Sequence, residues 1–108
     1  MKIIKGVLEE ELQNSLRMQK EYEKAISALP RGALVKKVIK GYSYYYLMKR
    51  EGNKVRFEYK GKINGKEIKH FEEVKKDRAR LRKLLGDIKR QVAFLRRALR
   101  GKELRAVS

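Results

Sequence analysis

The chain has 108 residues and no cysteine, which excludes a disulfide framework or a thiolate metal site and fits a reducing cytoplasm. A chain this short buries only about two-thirds of its unfolded surface, so we expect one domain, 1–108, with a modest core. The net charge of +17 predicts a negatively charged partner, because a compact body with that excess repels itself.

Hydropathy predicts a soluble chain with no membrane partner. No apolar run approaches the roughly 18 residues that cross a bilayer. Glu9, Glu10 and Glu11 follow the opening apolar patch where a signal peptide would stay apolar, so we expect a soluble, unprocessed protein. Charged residues make up 40% of the chain, a profile that favours a thermophilic source. The excess charge is uneven, because residues 1–29 are neutral and the remaining residues carry all of it.

The first predicted element is a helix over 7–29. Its apolar residues follow a 3-4 spacing, and its three glutamates suit the positive end of a helix. Pro30 ends the helix, because proline cannot continue one and biases Leu29 toward an extended conformation. The apolar positions are Leu8, Leu12, Tyr22, Ile26 and Leu29.

A β-meander is predicted over 33–69, where short stretches rich in Val, Ile, Tyr and Phe alternate with turn residues. Asn64-Gly65 is the best candidate for a tight type I′ turn. The predicted strands are 33–40, 42–50 and 54–60, and the pattern leaves room for a short fourth strand near 66–69.

Alternation assigns the faces of the predicted strands. Val55, Phe57 and Tyr59 share one face of the third strand, which we expect to be core, and the opposite face is cationic and wet. The second strand carries tyrosines on both faces, so we expect one row to meet a helix, a second protomer or a ligand. Packing is the usual reason for such rings. The alternative is that Tyr45, together with Tyr42 or Tyr44, stacks on nucleic-acid bases.

The last predicted element is a long helix over 71–100, followed by a short tail, 101–108. Two heptad columns form an apolar seam with one cationic exception, Arg78: Val74, Leu81, Ile88 and Leu95 in one, and Arg78, Leu85, Val92 and Leu99 in the other. The next two columns are wholly cationic: Lys75, Arg82, Lys89 and Arg96, then Lys76, Lys83, Arg90 and Arg97. We interpret them as a basic ridge, part of which would pair with glutamates of the first helix if the helices are antiparallel.

Residues suited to catalysis are scattered. The single histidine, His70, lies at a predicted junction, and lone histidines are usually surface residues. The sequence has no phosphate-binding glycine loop, no nucleophile-base pair and no metal-ligand cluster. We therefore expect a protein that is not an enzyme, with no cofactor, no metal and no small-molecule substrate.

Residues 28–62, "ALPRGALVKKVIKGYSYYYLMKREGNKVRFEYKGK", carry a resemblance. The stretch resembles the core of a family of small uncharacterised prokaryotic and mobile-element proteins, a domain of unknown function. Members of this family have a first helix, a small sheet and a long last helix. The motifs of the sheet are LP[KR]G[SA]LV, YYYL, REGxK and YxGK. Some relatives carry a cysteine-rich insert where this chain has Lys40-Gly41, so the resemblance implies no metal here. The sheet also resembles, more loosely, the arm-binding domains of tyrosine recombinases.

Together these patterns predict an α+β fold in which an antiparallel, coiled-coil-like pair of helices flanks a three- to four-stranded antiparallel meander in sequence. The leading hypothesis is nucleic-acid binding, to DNA or RNA, mainly through phosphates. The alternatives are a protein-interaction module, either a homodimer or a binder of an acidic protein, and an accessory or inhibitor factor of a nucleic-acid-processing or ribonucleoprotein complex. Besides the two cation columns, the predicted contacts are Lys36, Lys37, Lys49, Arg50, Lys54, Arg56, Lys60 and Tyr45.

Overall fold

The computed structural model describes residues 2–101 and contains two helices and a three-stranded sheet. The predicted α+β class is confirmed, with a meander inserted in sequence between two helices that pack together. The predicted tail lies, from residue 102 onward, outside the described residues. In chain order the elements are α1 (Lys2–Ala28), β1 (Ala33–Ile39), β2 (Tyr42–Glu51), β3 (Lys54–Gly61) and α2 (Gly65–Leu99).

Two compact units divide the chain. Of the described residues, the helical unit contains 2–28 and 80–101, and the sheet unit contains Leu29–Ala79. α2 is one continuous helix whose first part belongs to the sheet unit and whose second part belongs to the helical unit.

The first helix starts earlier than predicted. α1 begins at Lys2, five residues before the predicted start, so its three glutamates lie inside the helix instead of at its N-terminus. The apolar and lysine side chains of this segment are compatible with a helix, and Gly6 costs only about 1 kcal/mol in a helix interior. The prediction was wrong because it gave the glutamates the role of a start signal.

The core of the helical unit follows the predicted seam. Ile88, Val92 and Leu95 of α2 are buried. On α1, Ser15 is only 1% exposed, and its Oγ accepts a hydrogen bond from Gln91 Nε2 at 2.8 Å. Ser15 lies three residues after Leu12 and seven before Tyr22, so it occupies a seam position of α1. Apolar periodicity alone did not show this position, because serine is polar.

The sheet is antiparallel in the order β1-β2-β3, with β2 in the centre. Lys40 and Gly41 join β1 to β2 and both have positive φ, 50° and 81°. Two-residue turns with positive φ at both positions match the right-handed twist of the strands that they connect. Gly32 precedes β1 with φ 103°, and a Cβ there would lie 2.9 Å from Leu47 Cδ1. Only glycine fits that close approach without movement of Leu47.

Asn64-Gly65 is the start of a helix and not a hairpin turn. The amide of Glu67 donates a hydrogen bond to Asn64 Oδ1 at 2.9 Å, which is N-cap geometry. Residues 66–69 are therefore helical, so the meander has three strands and not the optional fourth, and it ends at Gly61 instead of residue 69. α2 consequently begins six residues before the predicted start at 71. The prediction failed because Asn followed by Gly suits a hairpin turn as well as a helix cap.

The face of β3 that was expected to be core is open. Val55, Phe57 and Tyr59 are 47%, 60% and 59% exposed. The buried residues of the three strands are Leu47 and Gly61, and Leu47 lies opposite Glu58 and therefore on the other face. Alternation determined correctly which residues share a face, but it could not determine on which face a side chain is buried.

Candidate nucleic-acid interface

Six cations of α2 form a basic ridge within the helical unit. The ridge consists of two columns, Arg82, Lys89 and Arg96 in one and Lys83, Arg90 and Arg97 in the other. All six residues are exposed. Members of a column are seven residues apart, which is about 10.5 Å along a helix axis at about 1.5 Å per residue. The 100° turn per residue places Gly86 and Ala93 between the columns, so no large side chain separates them.

The ridge is almost free of carboxylate partners. Arg90 forms an ion pair with Asp87, three residues earlier on the same helix, and its guanidinium lies over Gly86. Among the described residues, no other ridge cation forms an ion pair. The predicted pairing of ridge cations with glutamates of α1 is absent from this part of the chain. Five ridge cations therefore face solvent without a partner along residues 2–101.

Three other cations of α2 that the sequence singled out lie outside the basic ridge. Lys75 and Lys76, the first members of the predicted columns, are exposed but belong to the sheet unit. Arg78, the cationic exception in the seam, is half-buried and donates a hydrogen bond to the carbonyl of Pro30. Arg78 thus satisfies a backbone acceptor just after α1 ends, which explains a charge at a seam position.

The strand cations lie on both faces of the sheet. One face, which we call the mixed face, carries Leu47 together with most of the predicted strand contacts. Its predicted contacts are Lys36, Tyr45, Lys49, Lys54 and Arg56, and Lys60 lies beside Glu58 at the β2–β3 bulge.

Carboxylates of the mixed face neutralise much of its positive charge. Glu58 lies 3.2 Å from Lys60 Nζ and 3.6 Å from Lys49 Nζ, and Arg56 forms an ion pair with Glu51 at 3.2 Å. The hydrogen bond and charge of Lys60, followed by the charge of Lys49, hold the pKa of Glu58 below its ordinary value. Three of the predicted phosphate contacts are therefore engaged within the sheet.

The opposite face carries rings and cations, and we call it the open face. Its rings are Tyr42, Tyr44, Tyr46, Phe57 and Tyr59. Tyr59 packs against Tyr46 and Tyr44, with ring centroids 5.2 and 6.5 Å apart. Its cations are Lys37 and Arg50, and Lys62 Nζ lies 4.6 Å from the centre of the Tyr42 ring.

The open face contains functional candidates that sequence reasoning missed. Phe57 and Tyr59 were assigned to the core, and Tyr45 was preferred for base stacking, although Tyr45 is half-buried on the mixed face. The signal that could have found the open face is its charge pattern. Every carboxylate of the three strands, Glu51 and Glu58, alternates onto the mixed face.

No protein-family model, no curated protein and no solved structure matched the chain. The resemblance carried by residues 28–62 therefore stays a prediction. Along the described residues, neither helix has the length and apolarity of a membrane-spanning segment. In the same part of the chain, no three His, Asp or Glu side chains come together as a metal site.

Proposed function

We propose that this protein binds nucleic acid through phosphate contacts made by the basic ridge, and that it acts as a binding protein and not as an enzyme. The observation that supports the proposal is the set of five exposed ridge cations without a carboxylate partner among the described residues. Lysine and arginine side chains release condensed counterions when they neutralise phosphates, which supplies much of the binding free energy.

The arrangement of the ridge suits a polymer better than a small anion. Arg82 and Arg97 are 15 residues apart, which is roughly 22 Å along the helix at 1.5 Å per residue. A single phosphate compound would contact one end of such a line, whereas a nucleic-acid backbone presents a charge at every nucleotide. Contacts of this kind position the protein on the polymer without selecting a sequence.

A charge-reversal experiment tests the proposal. The variant Arg82→Glu, Lys83→Glu, Lys89→Glu should lose about 100-fold or more in affinity for a 20-base-pair duplex at low salt, because three phosphate contacts become repulsive. Fluorescence anisotropy of a labelled duplex measures the loss. Unchanged affinity in this variant would refute the proposal.

The matched control reverses three exposed lysines of α1. Lys5→Glu, Lys20→Glu, Lys24→Glu changes the net charge by the same amount but leaves the ridge intact. We expect this control to lose much less affinity than the ridge variant. Equal losses in both variants would mean that net charge alone attracts the polymer, and the ridge would not be the binding site.

A second candidate function is a protein-interaction module, either a homodimer, a binder of an acidic protein or an accessory factor of a nucleic-acid complex. The observation that favours it is apolar exposure on α2, where Phe94 is 60% and Leu84 is 37% exposed. Light scattering over a range of protein concentrations, at low and high salt, distinguishes the two functions. A tight dimer that ignores salt and is disrupted by Phe94→Ser would favour the interaction module.

A further inference from the structure

The open face of the sheet carries three large rings that are mostly exposed, beside two that are half-buried. Tyr42, Phe57 and Tyr59 are 58%, 60% and 59% exposed, although large rings in a small domain are ordinarily used to build the core. The three rings lie on two neighbouring strands, and Phe57 and Tyr59 are two residues apart on β3. The three side chains therefore project from the same side of a hydrogen-bonded sheet.

The charges around these rings identify the kind of partner. Lys37 and Arg50 are on this face, Lys62 stands over the ring of Tyr42, and both strand carboxylates point to the other face. A second copy of the chain would place these cations against their own copies, within a protein whose net charge is already +17. The charge favours a polyanion over self-association.

The chemistry of the rings narrows the choice further. Exposed rings interleaved with cations bind single strands, because every base has a π-face that can stack while the cations contact phosphates. Sheet surfaces with two or three exposed rings are a recurring platform for single-stranded bases. A duplex hides the faces of its bases inside the stack and offers this face only its phosphates.

We infer that the open face binds a single-stranded segment of nucleic acid by stacking bases on Tyr42, Phe57 and Tyr59. Lys37, Arg50 and Lys62 supply the phosphate contacts beside those rings. The inference rests on the proposed function, because it states that the nucleic acid bound at this face is single-stranded. It assigns base stacking to the open face and not to Tyr45.

The test compares four probes with the full chain: a 12-nucleotide DNA strand, the same strand as RNA, an abasic strand of equal length and charge, and a DNA duplex. We expect the wild-type chain to bind the two base-containing strands at least about tenfold more tightly than the abasic strand, because each stacked base contributes favourably. The DNA and RNA arms show which sugar is preferred. The affinity for the duplex measures binding by the basic ridge.

The variant Phe57→Leu, Tyr59→Leu keeps apolar side chains on β3 and removes their rings. It should lose the preference for base-containing strands over the abasic strand and keep its affinity for the duplex. Tyr45→Leu on the mixed face is the matched control and should keep the preference. Far-ultraviolet circular dichroism confirms that each variant is folded, and the wild-type comparison stands without any variant.

Three outcomes would overturn the inference. Equal wild-type affinity for the abasic and base-containing strands, with duplex binding intact, would refute base stacking and leave the proposed function standing. Failure to bind any probe at low salt would refute both. A wild-type dimer that becomes a monomer in the Phe57→Leu, Tyr59→Leu variant would assign the open face to a second copy of the chain.

Discussion

The basic ridge and the open face both present cations to solvent, but they differ in what surrounds those cations. On the ridge, two columns of cations flank Gly86 and Ala93, and no aromatic ring belongs to either column. On the open face, three cations accompany five rings. The ridge can therefore recognise charge alone, whereas the open face can also recognise the flat surface of a base.

The two sheet faces differ in how far carboxylates neutralise their cations. The mixed face has more cations, but Glu51 and Glu58 pair with three of them. The open face has fewer cations, and none of them forms an ion pair within the described residues. We therefore expect the absence of neighbouring carboxylates, and not the number of cations, to decide which sheet face binds a polyanion.

The largest expected difference between the ridge and the open face is in their response to salt. If the ridge contacts six phosphates, raising the salt from 50 to 200 mM should weaken duplex binding by about 10³-fold. The variant Arg82→Glu, Lys83→Glu, Lys89→Glu should make the slope of log affinity against log salt shallower by about 2.7, from three lost contacts. The ring variant Phe57→Leu, Tyr59→Leu should leave that slope unchanged. A ridge variant with the wild-type slope would contradict this assignment.

A change at Gly32 should affect the sheet more than the ridge. Gly32→Ala places a Cβ 2.9 Å from Leu47 Cδ1 at a residue with φ 103°. We expect a loss of about 2 kcal/mol in the free energy of unfolding, from crowding and backbone strain together. Urea denaturation measures the loss, and amide hydrogen exchange should show faster opening of β2 than of α2 beyond Arg80.

The matched control for this change is Gly41→Ala. Gly41 also has positive φ, but nothing lies within 4 Å of a Cβ built there. Its replacement should therefore cost only the backbone strain. Equal losses at Gly32 and Gly41 would show that the contact with Leu47 contributes nothing.

A smaller effect is expected at the hydrogen bond between Ser15 and Gln91, which belongs to the helical unit that carries the ridge. Ser15→Ala removes the acceptor of Gln91 Nε2 from a buried position and should lower the free energy of unfolding by about 1 kcal/mol. A double-mutant cycle with Gln91→Ala isolates the bond. Strict additivity of the two losses would mean that the hydrogen bond does not stabilise the fold.

The smallest effect is expected on the mixed face. Glu58→Gln releases Lys49 and Lys60 from their carboxylate partner and should raise affinity for nucleic acid by less than about fivefold, since exposed ion pairs are weak. Anisotropy at low salt measures the change. A larger gain would mean that the mixed face is a main binding surface and would reverse the comparison of the two sheet faces.

Acid should remove what Glu58 contributes to stability. Lys60 and Lys49 lower the pKa of Glu58 below its ordinary value of 4.5, so its contribution is fully present above that pH and is lost as the pH falls through the lowered pKa. The wild type and Glu58→Gln should therefore have the same melting temperature at a pH well below the lowered pKa of Glu58. A difference in melting temperature between the two proteins that stays constant down to the lowest pH would contradict this linkage.

Periodicity accounts for the features that the sequence predicted well. The seam of α2 is buried or half-buried from Val74 to Leu99, and both cation columns are exposed, as the heptad pattern of apolar and cationic positions predicted. Strand alternation likewise predicted which residues of β2 and β3 share a face. Local signals with two meanings were the source of error. Asn64 caps a helix instead of closing a hairpin, and the glutamates of α1 do not mark its start.

The sequence by itself determined the order of elements, the membership of each face and the excess of positive charge. These properties depend on backbone geometry and composition, which are local. Only the tertiary structure decided which sheet face holds the buried Leu47, which cations pair with carboxylates and that Ser15 is buried beside Gln91. Those outcomes depend on contacts between residues far apart in the chain, and the period of a strand or helix is the same whichever side its neighbours occupy.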